Sequence, residues 1–189
     1  MENTVGSLTK VQQSMIVGTL LGDGTLRKKS NTLLEINHSH KQKEYVLWFY
    51  SALENLVSTP PKLRKSGKNR MSYRFTTKSL EVLNSFHEVF YEKGCKRVPN
   101  ELILDPLSLA IWFMDDGSKD RSSVYLNTQQ FTLSDQQMLL EKLSEMNLFG
   151  SLNRDKKYFR IRLFKESLKR FQSIVDPHVI ESMKYKLLL

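Results

Sequence analysis

Apolar and polar positions switch between two periods along this chain, and the switches mark out its elements. Val11, Met15, Val17, Leu20 and Leu21 recur at helical spacing behind a Thr9-x-x-Gln12 capping box, and the run stops at Asp23-Gly24. A basic turn (Arg27, Lys28, Lys29) leads into 32–40, where Leu34, Ile36 and His38 alternate with Glu35, Asn37 and Ser39. That is the period of a strand with one face on a core. Helical spacing returns over 41–57, with Tyr45, Trp48, Tyr50 and Leu53 on the stripe, until Pro60-Pro61. Residues 62–65 and 71–77 read as a hairpin around Ser66–Asn69, with Tyr73 and Phe75 opposed to Ser72, Arg74 and Thr76. A helix over 80–91, closed by Gly94, completes the series.

The same order then recurs. Asp105 is a good N-cap with Pro106 at the first helical position, and the helix over 107–115 ends at Asp116-Gly117. A strand over 123–131 sets Val124, Leu126 and Thr128 against Tyr125, Asn127 and Gln129. Ser134-x-x-Gln137 reads as the capping box of the next helix, which carries Met138, Leu139, Leu143 and Met146. A hairpin over 151–164 turns at Arg154–Lys156, its second strand opposing Phe159, Ile161 and Leu163 to Tyr158, Arg160 and Arg162, and a last helix covers 166–175. Helix, strand, helix, hairpin, helix thus occurs twice at a period of roughly 90 residues. Two α+β halves, 7–104 and 105–189, related by a pseudo-twofold axis are the economical arrangement.

The apolar helices that open the two halves end alike, each in an acid followed by glycine. A carboxylate at a helix C-terminus is disfavoured by about 0.3–1 kcal/mol unless a cation sits beside it. A repeated Asp-Gly ending therefore predicts a site built twice. If these helices pack side by side, Asp23 and Asp116 emerge at one end as hard-metal ligands of the kind that hold Mg²⁺ on a phosphate. Gly18, which costs about 1 kcal/mol of helix propensity relative to Ala, predicts a close approach there. Lys96 and Lys186 follow the two acids at nearly the same interval, each in a short basic segment. Phosphodiester cleavage needs charge stabilisation on phosphoryl oxygens and help for a leaving alkoxide, which metal-holding carboxylates and ammonium groups supply.

Charge narrows the partner. Lys and Arg number 29 against 20 acids, a net charge of +9, which points to a polyanion and most often nucleic acid. The outward strand faces (Glu35, Asn37, Ser39, Ser72, Arg74, Tyr125, Asn127, Gln129, Tyr158, Arg160, Arg162) carry groups that hydrogen-bond base edges and phosphates, and Arg27, Lys28, Arg64 and Arg70 flank them. The single cysteine, Cys95, has no disulfide or zinc-type companion, and neither a secretory signal nor a spanning apolar run is visible. An intracellular protein in a reducing compartment, with no membrane partner, is expected. His38-x-His40 puts two imidazoles on one strand face without a third ligand, so a packed or groove-facing role is favoured over zinc. Trp112 and Phe113 read as core.

Ile16–Gly24 and Leu109–Gly117, together with Leu126-Asn-Thr-Gln129 and the closing Ser182–Leu187 segment, resemble the LAGLIDADG motifs of homing endonucleases, in particular the single-chain, two-motif branch. The similarity runs from about residue 10 to 187. It implies an α+β fold of two pseudo-symmetric αββαββα halves packed through the motif helices, with saddle-shaped antiparallel sheets over the DNA major groove. By motif position it makes Asp23 and Asp116 the metal-binding catalytic acids, Gly22 and Asp115 the residues whose backbone carbonyls assist, and Lys96 and Lys186 the active-site lysines. The implied activity is Mg²⁺-dependent cutting of both strands of a long double-stranded DNA site, with Mn²⁺ as a substitute, leaving short 3′ overhangs that promote intron mobility. A monomer is implied, in an organelle or a prokaryotic cytoplasm. An intron RNA maturase and a catalytically silent DNA-binding regulator are the alternatives on the same fold. The halves differ at the third motif position, Gly18 against Ile111, and Lys186, close to the end of the sequence, is expected to be less ordered than Lys96.

Overall fold

The computed structural model describes residues 7–65, 70–120 and 123–187. Among the described residues, six α-helices and ten strands run in the order α1 (Lys10–Leu21), β1 (Thr25–Lys28), β2 (Thr32–Ser39), α2 (Lys43–Leu53), β3 (Lys62–Lys65), β4 (Met71–Thr76), α3 (Asn84–Phe90), β5 (Tyr91–Glu92), β6 (Cys95–Lys96), α4 (Pro106–Asp116), β7 (Gly117–Asp120), β8 (Ser123–Leu126), α5 (Leu133–Glu145), β9 (Gly150–Asp155), β10 (Tyr158–Leu163) and α6 (Lys165–Val175). Apart from the small β5–β6 ladder, this is αββαββα twice. Each half holds a four-stranded antiparallel sheet, β1-β2-β4-β3 in the first and β7-β8-β10-β9 in the second.

Two strands were not legible in the periodicity. β1 occupies what reads as a basic turn, and β7 follows Asp116 directly. Both are edge strands of four residues whose sequences, Thr-Leu-Arg-Lys and Gly-Ser-Lys-Asp, show no apolar alternation; they exist because β2 and β8 supply hydrogen-bonding partners. Other boundaries move too. The expected 41–57 helix is α2 flanked by 3₁₀ turns at His40–Gln42 and Glu54–Leu56. The strand expected over 123–131 stops at Leu126. The cap of α5 is Thr132, paired reciprocally with Asp135, and not Ser134 with Gln137. The Ser66–Asn69 turn lies outside the described residues.

Helices α1 and α4 form the seam between the halves. The Thr9–Gln12 capping box opens α1, and Asp105 with Ser108 opens α4. Gly18 makes the close approach possible. A Cβ there would stand 2.6 Å from the Ser108 carbonyl oxygen and 2.7 Å from Ile111 Cβ. Ile16, Leu20, Leu21, Leu109, Ile111 and Phe113 are buried around this seam, each contributing roughly 1.5–3 kcal/mol. The sheets pack their apolar rows, Leu34 and Ile36 in one half and Val124, Leu126 and Ile161 in the other, onto the same core. Trp112 and Phe113 lie in that core, Phe113 edge-on to Phe171 of α6 at 5.1 Å. No helix among the described residues is long and apolar enough to cross a membrane.

Candidate active site

Side-by-side packing of α1 and α4 brings their C-terminal ends together, and every expected catalytic group is found there. Asp23 lies just beyond α1, its side chain 49% exposed. Its backbone NH donates to Asp115 Oδ2 at 3.2 Å. Asp116 is the last residue of α4, and its carbonyl accepts from the backbone NH and side-chain amide of Asn127 at 3.0 and 2.7 Å. Desolvation, followed by repulsion from Asp23 and Asp115, raises the Asp116 carboxyl to about 7.

The two lysines answer the helix-end electrostatics. Lys96 Nζ, from β6, donates to the Gly22 carbonyl at 2.7 Å. Lys186 Nζ donates to the carbonyls of Met114 and of Asp115, the latter at 3.1 Å. Each ammonium group thus sits on unsatisfied carbonyls at a helix end, beside the acids, where both the dipole and the carboxylates favour a cation. Burial lowers the pKa of both lysines, and Asp115, Asp116 and Asp23 oppose that shift. Lys186 belongs to a 3₁₀ turn, Glu181–Lys186.

Asp115 has a role that motif position does not suggest. Its side chain, fully buried, crosses the seam into the space above Gly22, where a Cβ would lie 2.4 Å from Asp115 Cβ. Oδ1 accepts from Tyr45 OH at 2.7 Å and Oδ2 from Thr19 Oγ1 at 2.9 Å. Burial pushes the Asp115 carboxyl up, and burial with the neighbouring Asp115 holds the Tyr45 phenol well above its ordinary value, so the phenol remains a donor. Gln130 was also missed. From the loop after β8 its Nε2 reaches Leu21 O at 3.2 Å, Asp116 Oδ2 at 3.4 Å and Gly22 O at 3.5 Å, spanning both halves. In sequence Tyr45 is one more residue of the apolar stripe of α2, and Gln130 follows the Leu126–Gln129 segment by one residue.

The candidate nucleic-acid contacts fall on one face of each sheet, with exceptions. Register places Arg27, Glu35, Asn37, Ser39, Ser72, Arg74 and Arg64 on a common side, with Lys62, which sequence reading passed over, opposite Arg74. Lys28 pairs with Thr32 and so belongs to the other side, at the exposed rim. Arg70 is exposed just before β4. In the second sheet Tyr125, Arg160, Arg162 and exposed Tyr158 share a side with Ser151 and Asn153. Glu35, Ser72 and Tyr125 are buried instead of outward-reaching. Glu35 holds Arg27 at 3.0 Å and Arg74 at 3.7 Å, and Tyr125 lies under the Arg160 guanidinium at 4.0 Å. Asn127 and Gln129 lie beyond the end of β8, and Gln129 Nε2 donates to Asp155 Oδ2 at 2.9 Å. His38 is buried facing Asp23 and Asp115, whereas His40 is exposed where the chain leaves the strand.

The donor set fits a hard cation. Asp23 and Asp116 offer carboxylates, the Asp115 carbonyl has a second lone pair beyond the one Lys186 takes, and the Gly22 carbonyl shares its second lone pair only with the more distant Gln130.

Comparison with known proteins identifies the family. The family described as the LAGLIDADG DNA endonuclease family matches residues 13–171. The chain is 31% identical to the cytochrome b mRNA maturase bI2 of Debaryomyces hansenii, over 95% of this chain and 74% of that one. It is 30% identical to the probable intron-encoded endonuclease 1 of Wickerhamomyces canadensis, over 96% and 86%. Among solved structures it resembles the homing endonuclease I-WcaI bound to its DNA recognition sequence, with a TM-score of 0.91 and 27% identity, covering 97% of this chain and 88% of that one.

Proposed function

The chain belongs to the LAGLIDADG DNA endonuclease family, and on that premise we propose that it is a monomeric homing endonuclease that hydrolyses one phosphodiester on each strand of a long DNA site. The carrying observation is the convergence of Asp23 and Asp116 at one end of α1 and α4, each with its own lysine on the adjoining helix-end carbonyl. The two sheets lay their basic faces in the major groove, with Arg27, Arg64, Arg74, Arg160 and Arg162 on phosphates and base edges and Asn37 and Tyr158 beside them. Glu35 and Tyr125 act by aiming arginines.

Asp23 and Asp116, with the Gly22 and Asp115 carbonyls, hold Mg²⁺ or Mn²⁺ in this reading. A hard ion bound there lowers the pKa of water and neutralises charge on the phosphoryl oxygens. Lys96 and Lys186 stabilise negative charge on the phosphate and the leaving oxygen, and Gln130 holds the two acid-bearing ends in register. The product carries short 3′ overhangs, and its repair spreads the intron.

The test is cleavage of a plasmid carrying the joined exons that flank the reading frame. Linear product with Mg²⁺, none with EDTA, and none from the Asp23→Asn, Asp116→Asn double variant is the expected result; full cutting by that variant overturns the assignment. A second reading, an RNA maturase acting on its own intron, is favoured by the relatives named as maturases. It predicts that the purified chain speeds splicing of that intron RNA.

A further inference from the structure

The cleavage chemistry makes no use of His38. Its side chain is 2% exposed, on the core side of β2, with the Tyr45 ring against it at 5.0 Å. Nδ1 lies 3.6 Å from Asp23 Oδ2 and Nε2 lies 3.7 Å from Asp115 Oδ1. Both separations exceed a hydrogen bond, and Nε2 has no hydrogen-bond partner. A buried polar nitrogen without a partner is costly and calls for a physical reason. One ligand atom each from Asp23, His38 and Asp115 lie within 4.8 Å of one another. One imidazole nitrogen serves one ion, and ligand bonds of about 2.0–2.2 Å hold ligand atoms no more than about 4.4 Å apart, so the three side chains draw together by a few tenths of an ångström when an ion enters. Tyr45 and Thr19 already orient the Asp115 carboxylate, as outer hydrogen bonds orient metal-bound carboxylates elsewhere.

We propose that Asp23, His38 and Asp115 form a binding site for a borderline transition-metal cation such as Zn²⁺ or Co²⁺, separate from the all-oxygen Asp23–Asp116 arrangement but sharing Asp23 with it. An imidazole nitrogen suits Zn²⁺, Co²⁺ and their neighbours, whereas Mg²⁺ takes oxygen ligands. Selectivity therefore follows from His38. Because Asp23 belongs to both sites, an ion held by His38 withdraws a carboxylate from the hard-ion position, and Zn²⁺ inhibits Mg²⁺-supported cutting. Only this inhibition rests on the nuclease reading; the binding does not.

The site is tested on the full-length, metal-free chain without DNA, by titrating Co²⁺ and following its visible d–d absorption. The expected result is one Co²⁺ per chain. His38→Asn and Asp23→Asn each weaken it by about a hundredfold or more, since loss of mere supporting partners at metal sites costs roughly 10–100-fold. Asp116→Asn leaves Co²⁺ binding in place. Zn²⁺ raises the Tm of the wild type and not of His38→Asn. Absence of one-to-one binding, wild-type affinity in His38→Asn, or loss in Asp116→Asn as severe as in Asp23→Asn overturns the proposal, the last by assigning the ion to the all-oxygen position. Asp23→Asn, at a half-exposed position, keeps the test decisive should His38→Asn fail to fold. A chain that binds Co²⁺ but cuts no DNA separates this inference from the nuclease reading.

Discussion

The C-terminal ends of α1 and α4 descend from the same motif and yet are built differently. In the first half the residue before the acid is Gly22, a backbone with nothing attached; in the second it is Asp115, whose carboxylate fills the space that glycine leaves. The first acid, Asp23, is half exposed, while Asp116 is partly buried and raised to about 7. The lysines restore the likeness, each capping the carbonyl before its acid. The difference shows that a pseudo-twofold site need not be chemically twofold: the acids and their lysines are paired, and the seam behind them is asymmetric because two carboxylates cannot occupy one buried crossing point without strong repulsion.

Removing the acids one at a time tests the pairing most severely. Asp23→Asn and Asp116→Asn should each lower double-strand cleavage about a thousandfold or more, several kcal/mol of transition-state stabilisation, with target binding still measurable by gel shift. If one variant still nicks a single strand at full rate, each acid serves its own strand; if both still linearise plasmid, the pairing has no chemical meaning. The lysines should matter less. Lys96→Met and Lys186→Met are expected to slow cutting by roughly 10–100-fold, and the ratio of nicked to linear plasmid over time reports whether they act on different strands.

The seam itself is probed by Gly18→Ala. The new methyl group would meet Ser108 backbone and Ile111, so a loss of about 1–3 kcal/mol is expected from overpacking, read as a lower urea midpoint with an unchanged m-value. An unshifted midpoint would mean that α1 and α4 are not held so close. A smaller effect concerns pH. The Asp116 carboxyl binds its proton more tightly in the folded state than the ordinary value of 3.8, with a folded value of about 7. Its contribution to stability is therefore full below about pH 4 and is lost as pH rises through 7. The Tm of the metal-free protein should fall across that window, less so with saturating Mg²⁺, which favours the ionised form. Asp116→Asn should flatten the fall, and an identical slope in that variant would remove Asp116 as its source.

The legible part of the structure was local. Alternation in β2, β4 and β10, the caps at Thr9 and Asp105, and the helical stripe of α4 are properties of short windows, and each became the element it suggested. β1 and β7 were not legible, because a four-residue polar edge strand is defined by its partner and not by its own side chains. Glu35, Ser72 and Tyr125 read correctly as the outer face of a strand but were expected to stand free, since nothing in their own windows announces the arginines that cover two of them.

From residue order alone came the doubled αβ series, the two acid-tipped helices, the lysine after each and a basic surface suited to nucleic acid, because periodicity, capping and charge are written in neighbouring residues. Only the folded chain decided that Asp115 turns into the seam, that Thr19 and Tyr45 hold it, that Gln130 spans the two halves and that His38 lies between two carboxylates. Those groups come from α1, α2, α4, β2 and a loop of the opposite half, and what brings them together is the close packing of two helices at Gly18 and Gly22, a distance that no stretch of sequence contains.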